Sequence, residues 1–459
     1  MAIVQAPPDI RQVMKAISNF EELLPKIASP EFQKLIRRVN DEYIHWQDFR
    51  YKTVPHGLSL EVAWAYLKLG RIANKKVAPF TDKTDTPFSY WIPDSLLKAL
   101  NEIDRLSGGT ILTDQPGSLP SHEQYIISSL MEEAIASSQL EGAATTRKVA
   151  KEMLRTGRKP RNKSEQMIVN NWRTMLFIRE HRSMKLTLET ICEIHRRVTE
   201  ETLKIPEEAG ILRTRDDIEV AYKDEIVHHP PKAATLEDRI EALCNFSNHD
   251  DEENWIHPVI KAAMIHFWFA YDHPFTDGNG RTARALMYWY LLSRRYSLFE
   301  YLAISKYILR SPGQYVRAYL FTETDEGDLT YFLVYNMRAI ALALRDLRKY
   351  LQRKQMEIAR SNELLRRHRG LNSRQKALVY SAIREPDGFY TIEAHKNFHG
   401  IVYETARHDL LQLVEKGFLR KEKQGKEFVF WPCEGMIEKL REKETQMPRS
   451  TQQSFLPLS

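Results

Sequence analysis

The sequence predicts a mainly α-helical protein with one small β-hairpin flap and a compact C-terminal unit. Three observations carry that reading. Apolar residues recur near the 3.6-residue helical period through much of the chain, as in Phe32, Leu35, Ile36, Val39 and again in Val62, Ala65, Tyr66, Leu69. The texture changes between Gly210 and Pro231, where helix formers are few, apolar residues alternate loosely (Ile218, Val220, Ile226, Val227) and Pro230-Pro231 ends the run. Beyond Gly370, three helix-length segments are followed by two strand-like runs, a pattern that looks like a winged helix-turn-helix.

Composition narrows the classes. A chain of 459 residues, 42% hydrophobic and 28% charged, describes a soluble globular protein of about three domains. The most apolar run, Val259 to Phe275, is broken by Lys261, His266, Asp272 and His273, so no membrane span is expected. The first residues lack the basic and apolar regions of a signal peptide. Cys192, Cys244 and Cys433 are too scattered for a disulfide framework or a zinc cluster, which points to a reducing, cytoplasmic location. The net charge of +6 is local: Arg345 to Arg369 hold nine Lys/Arg against three Asp/Glu. That segment reads as a solvated helix face, with a polyanion contact left open.

In chain order, residues 1–110 read as a helical N-terminal region, with Ile92-Pro93 opening a helix through Leu96, Leu97, Leu100 and Ile103 to Gly108-Gly109. Residues 111–160 hold a capping box, Ser121-His-Glu-Gln124, that starts a helix running to Leu140. Its end reads Ser137-Ser-Gln-Leu-Glu141-Gly142. Ser137 and Glu141 are four apart and share a face, and Gly142 suits the left-handed residue that closes a helix. Thr145 or Thr146 caps a short helix to Gly157. Residues 161–345 then give helices at Ser164–Arg182 and Thr187–Thr202, the hairpin, helices at Leu236–Asn245 and Pro258–Tyr271, and two more at Tyr315–Thr322 and Leu329–Leu347, separated by Asp325-Glu-Gly-Asp328.

The chemistry concentrates between the last two pairs of helices, in His273-Pro-Phe-Thr-Asp-Gly-Asn-Gly-Arg-Thr-Ala-Arg284. A histidine stands four residues before an acid, Asp277. Gly278-Asn279-Gly280 can turn successive backbone N–H groups toward an anion. The apolar pattern that follows places those glycines at a helix N-terminus, where unpaired N–H groups and the macrodipole favour phosphate. Arg281 and Arg284, one turn apart, project over the same seat. Phe275 reads as a core anchor for the loop. His266 with His273, or His228-His229, lacks the spacing of a familiar zinc motif.

The twelve residues resemble the signature of the Fic (filamentation induced by cAMP) family, H-x-F-x-[DE]-G-N-G-R-x-x-R, at every specified position. The resemblance extends over roughly residues 90 to 345. It implies a Fic-type helical bundle and transfer of AMP from ATP to a hydroxyl of a protein side chain, with release of pyrophosphate. His273 would be the catalytic base, a role that asks for a pKa near neutrality. Asp277 would hold Mg²⁺. Gly278, Gly280 and the Asn279 amide would meet the charge growing on the α-phosphate, Arg281 the phosphates and Arg284 the γ-phosphate end. Ser137, Glu141 and Gly142 match the family's inhibitory motif, [ST]-x-x-x-E-[GN], which implies that Glu141 occupies Arg284. The hairpin position implies a flap that docks the target segment by strand addition at Ile226, Val227, His228 and His229.

The resemblance leaves several alternatives open. Some members use the glutamate to remove AMP, so a de-AMPylase or bifunctional enzyme stands beside the adenylyltransferase. The Doc phosphotransferases move the γ-phosphate instead but depart from this glycine loop. The target is expected to carry a Ser, Thr or Tyr hydroxyl, and self-modification and a homodimer both remain open. Residues 346–370 read as a basic linker helix, 371–435 as the winged unit and 436–459 as a disordered tail. Ten basic against eight acidic residues over Leu371–Pro432 argue for docking or dimerisation over DNA binding, with a DNA-binding regulator kept as the alternative.

Overall fold

Residues Pro258–Asp272 bury side chains on every face, from Val259 through Ile265 to Tyr271, and so does the segment Asn279–Ser293 after the glycine loop. A helix apolar all round has no solvated side to offer, so other elements must surround it. These two helices pack on each other within the first of two compact units.

The structure is a computed structural model that describes residues 4–17, 20–55, 57–106, 122–367, 370–384, 388–424, 427–436 and 438–440. Ser121 of the expected capping box, Gly108-Gly109, most of the Pro386-Asp-Gly388 turn, Gly425-Lys426 and the tail from 441 lie outside those residues. In order come α1 (Ile10–Lys15), α2 (Leu24–Ile27), α3 (Pro30–Glu42), α4 (Trp46–Phe49), α5 (Leu60–Asn74), β1 (Lys76–Thr81), β2 (Pro87–Tyr90) and α6 (Asp94–Arg105). Next are α7 (His122–Leu140), α8 (Arg147–Thr156), α9 (Lys163–Glu180), α10 (Leu188–Thr199), β3 (Val220–Tyr222), β4 (Glu225–His228), α11 (Leu236–Asn248), α12 (Pro258–Asp272) and α13 (Asn279–Ser293). The chain continues through α14 (Ser305–Arg310), α15 (Pro312–Thr324), α16 (Thr330–Arg367), α17 (Ser373–Arg384), β5 (Tyr390–Thr391), α18 (Ile392–His399), α19 (Tyr403–Glu415), β6 (Leu419–Gln424) and β7 (Glu427–Pro432). The fold is mainly helical, as the periodicity indicates.

The chain falls into two compact units, one of Met1–Leu112 with Ile126–Arg345, the other of Thr113–Tyr125 with Asp346–Ser459. In the first unit two local expectations fail. The region before 110 contains an antiparallel hairpin, β1 with β2, that the helical reading missed. Its turn is held by the Asp82 carboxylate, which accepts from the amides of Thr84 and Thr86 at 2.7 and 3.0 Å. The face of α5 is also rotated from the expected one. Tyr66 and Leu69 are exposed, while Ala63, Trp64, Leu67, Lys68 and Arg71 are buried. The reason lies far along the chain: Lys68 meets Asp325 at 2.5 Å, Arg71 donates to the Tyr331 hydroxyl at 2.9 Å, and Lys75 meets Asp328 at 2.8 Å. Buried charges are tolerated when paired and hydrogen-bonded. The acidic turn between α15 and α16 and the first residues of α16 supply those partners.

Elsewhere the local rules hold. Thr146 caps α8 by accepting from Val149, and Gly157 closes it at φ 66°. Thr187 and Thr190 form a reciprocal capping pair on α10. The β3–β4 turn uses Lys223 and Asp224, both at positive φ (52° and 65°), the twist a two-residue hairpin favours. The second unit packs α17, α18 and α19 on an antiparallel sheet of order β5-β7-β6, around Val379, Ala382, Ala406, Leu410, Leu413 and Phe430. β5 was not expected from the sequence.

Candidate active site

The glycine loop is a short bridge between α12 and α13, and each end needs an unusual backbone. His273 ends α12 in the left-handed region at φ 47°, and Gly278 starts α13 at φ 86°. A β-carbon on Gly278 would stand 2.6 Å from Thr199 Cγ2, so both conformation and space demand glycine there. Thr282 is the first residue of α13 whose N–H finds an acceptor four residues back, the Gly278 carbonyl at 3.0 Å. The amides of Asn279, Gly280 and Arg281 therefore have no partner within the helix and form its positive end.

Phe275 is fully buried, as the sequence suggests, and the Asn279 side chain clamps its backbone. Oδ1 accepts from the Phe275 amide at 3.0 Å, and Nδ2 donates to the Phe275 carbonyl at 2.7 Å. The expectation that the Asn279 amide group faces an anion is corrected here. Its side chain closes the loop, and what Asn279 can give an anion is its backbone N–H.

His273 lies in a small pocket with Glu141, Gly280, Arg284 and Tyr315. Its Nδ1 sits 3.4 Å from the Ala270 carbonyl, which can only accept, so the geometry favours the proton on Nδ1 and the lone pair on Nε2. Burial pushes the imidazole down to about 4, with His228 adding to the effect and Glu141 opposing it. This lies below the near-neutral value expected from the sequence, because desolvation penalises the imidazolium. Arg213, which the sequence reading passed over, fixes the strained residue. It donates through Nε to the His273 carbonyl at 2.9 Å, and its own amide donates to the Pro274 carbonyl at 2.9 Å. Nothing in Gly210-Ile-Leu-Arg213 marks that role.

The two arginines diverge in use. Arg281 is buried, donates to the Val198 carbonyl at 2.9 Å and lies 3.5 Å from Asp277 Oδ1. Its Nε is buried without a hydrogen-bond partner. Arg284 reaches α7: Nε donates to Ser137 Oγ at 2.8 Å, and one Nη to the Ser137 carbonyl at 3.0 Å and to Glu141 Oε1 at 2.8 Å. Burial alone would raise the Glu141 carboxyl, but Arg284, then Arg281 and His273, hold it below the ordinary glutamate value. Gly142 follows at φ 90°, and the Ala143 amide returns to the Ser138 carbonyl at 3.0 Å, closing α7. The helix is tied down further up by Glu133, a buried carboxylate that accepts from the Ser305 amide at 2.8 Å and the Tyr288 hydroxyl at 2.9 Å.

Asp277 is about half exposed; its Oδ1 accepts from the Gly278 amide at 2.6 Å. Among the described residues no group of three His, Cys, Asp or Glu could hold a metal ion by itself. One accessible carboxylate beside an anion seat still suits Mg²⁺, which is commonly held by one or two carboxylates, substrate phosphates and water.

The hairpin sets its four expected docking residues in different environments. Ile226 is 54% exposed, and Val227 lines the pocket. His229 is exposed but lies one residue beyond β4. His228 is buried, with Nε2 2.8 Å from the Tyr271 carbonyl and Nδ1 3.0 Å from Glu323. It pins the flap to α12 and α15, so its side chain faces inward, and any strand addition there would use its backbone groups.

A loop that ends one buried helix in an imidazole and begins the next with bare amides and two guanidiniums defines a helical protein able to seat an anion beside a base. Residues 185–291 match the Fic/DOC family model. The chain is 42% identical over 106 residues to "Protein adenylyltransferase Fic" of Nematostella vectensis, covering 23% of each chain. It is 36% identical over 104 residues to the protein of the same name from Drosophila grimshawi, covering 23% of this chain and 20% of that one. The chain thus spans less than a quarter of these curated relatives. A crystal structure of a Fic family protein from Desulfovibrio desulfuricans G20 shares the fold, at TM-score 0.50 and 17% identity, over 74% of this chain and 94% of that one.

Proposed function

We propose that the protein is an adenylyltransferase that moves AMP from ATP to a hydroxyl of a protein side chain and is held back by its own Glu141. The observation that carries this is the meeting in one pocket of His273, the bare N-terminus of α13 and an Arg284 already occupied by Glu141. ATP supplies the transferred group. The hydroxyl oxygen attacks the α-phosphorus, the bond to the bridging oxygen of the β-phosphate breaks, and pyrophosphate leaves. His273 Nε2 takes the hydroxyl's proton. The amides of Asn279, Gly280 and Arg281 face the oxygens on which charge grows. Asp277 would hold Mg²⁺, whose charge neutralises the phosphates when it is bound. The exposed side of β4 at Ile226 suits docking of an extended target segment. The buried cysteines Cys192 and Cys244 fit the reducing, cytoplasmic setting.

Glu141 explains restraint. The pocket measures about 150 Å³, below the roughly 300–1,000 Å³ of a small-molecule site. With Arg284 paired to Glu141, the guanidinium that would meet a γ-phosphate is already occupied. A second reading rests on the same carboxylate: it shares the pocket with His273, where it could position a water for removal of AMP. Mass spectrometry of the chain and of Glu141→Gly, each incubated with ATP and Mg²⁺, tests the transferase, and loss of AMP from the modified variant on adding the unchanged chain marks the second reading. Gain of an AMP moiety, strongest in the variant, supports the transferase. Gain of a phosphate supports the γ-phosphate transfer of the Doc type, and no gain in either removes both.

A further inference from the structure

His195 stands outside the twelve-residue signature, on α10, and is fully buried. Its ring stacks on Phe275 with centroids 3.7 Å apart and planes 7° from parallel. The Gly210 amide lies 2.9 Å from Nδ1, and the Asp277 carbonyl oxygen lies 2.7 Å from Nε2. A backbone N–H can only donate and a carbonyl only accept, so the ring is fixed as the neutral tautomer with its proton on Nε2. Burial keeps it neutral down to about pH 4. On the Asp277 side the ring also touches the anion loop: a β-carbon on Gly278 would lie 3.2 Å from His195 Nε2.

The carbonyl of Asp277 and the amide of Gly278 belong to one planar peptide unit. Holding the oxygen against Nε2 fixes that plane, and the Gly278 amide on its far side meets Asp277 Oδ1 at 2.6 Å. We infer that His195 is a positioning residue for the reaction, acting through the Asp277–Gly278 peptide to aim the Asp277 carboxylate and the first amides of α13. The inference rests on the transferase reading, while the contact itself follows from geometry alone.

Two substitutions divide the ring's two hydrogen bonds. His195→Gln can place a donor where Nε2 stands and keep the Asp277 bond. His195→Asn can place an acceptor where Nδ1 stands and keep only the Gly210 bond. Both lose the stack on Phe275, so a purely structural role would lower their thermal midpoints and their rates together. In the Glu141→Gly background, His195→Asn should lose AMP incorporation by about 10- to 100-fold, the usual effect of removing a group that orients a metal-binding side chain. His195→Gln should keep most of it at a similar thermal midpoint. Equal rates in the two variants would overturn the inference. Ring ¹⁵N chemical shifts of the full chain test the contact without turnover: an Nε2–H signature supports it, and an Nδ1–H signature overturns it. If the Glu141→Gly parent itself takes up no AMP, the transferase reading has failed, and the tautomer still decides whether His195 holds Asp277.

Discussion

Gly280 lies so close beneath Glu141 that a β-carbon on the glycine would stand 2.2 Å from the Glu141 carboxylate oxygen. The glutamate thus reaches Arg284 by passing over the one residue of the first turn of α13 that has no side chain. Glycine in this loop serves two ends at once, exposing amides and admitting the carboxylate.

Gly280→Ala should therefore push Glu141 off Arg284. The clash exists only while the glutamate is present, so Gly280→Ala and Glu141→Gly should be coupled. We expect the alanine to destabilise the otherwise unchanged chain more than it destabilises Glu141→Gly, with a coupling of about 1 kcal/mol. Denaturant unfolding of the four proteins in the cycle measures this. Additive effects would mean that the carboxylate does not rest on Gly280.

Imidazoles whose pKa is lowered by desolvation give stability a pH dependence. Burial holds His45, His195 and His273 at about 4 and His266 at about 3, against 6.5 when exposed. Between pH 6.5 and about 4 the unfolded chain binds protons that the folded chain refuses, so stability falls as pH falls through that window. Glu141, held below 4.5, loses its native pairing only further down. The thermal midpoint should decline from pH 6.5 towards 4.5, and His266→Gln should make that decline shallower. A level midpoint from pH 6.5 to 5 would contradict the neutral, buried rings.

Lys68 offers a test of the link between α5 and the turn after α15. Replacing it with Met leaves Asp325 buried with its ion-pair partner gone, and Tyr331 as a hydroxyl donor at 2.7 Å. Loss of one member of a buried pair costs about 3–5 kcal/mol, so Lys68→Met should destabilise the first unit by about that much in urea unfolding. Replacing the exposed Leu69 with Gln should cost little. Equal effects at the two positions would count against the rotated face of α5.

The flap shows how far local signals reach. Its alternation and closing prolines mark the strands, and Ile226 is exposed as an edge residue would be. Nothing local reveals that His228 turns inward, because its partners, Tyr271 and Glu323, are supplied by helices that follow much later in the chain. The hairpin β1–β2 escaped for a related reason. Each strand is short and contains a proline, and an Asp82 side chain, with no Asn-Gly pair, makes the turn.

By itself the sequence determined the helical period of the bundle, a threonine cap at Thr145 or Thr146, the left-handed closure at Gly142 and the glycine loop at a helix start. Each is set by residues within about four positions of one another, which is the range of backbone hydrogen bonding and of steric limits on φ. Only the tertiary structure decided that Arg284 also meets Ser137, that His195 and Arg213 grip the loop from outside, and that α5 turns its lysine and arginine inward. Those outcomes depend on charges and carbonyls brought together from distant parts of the chain, where burial makes pairing obligatory and local pattern is silent.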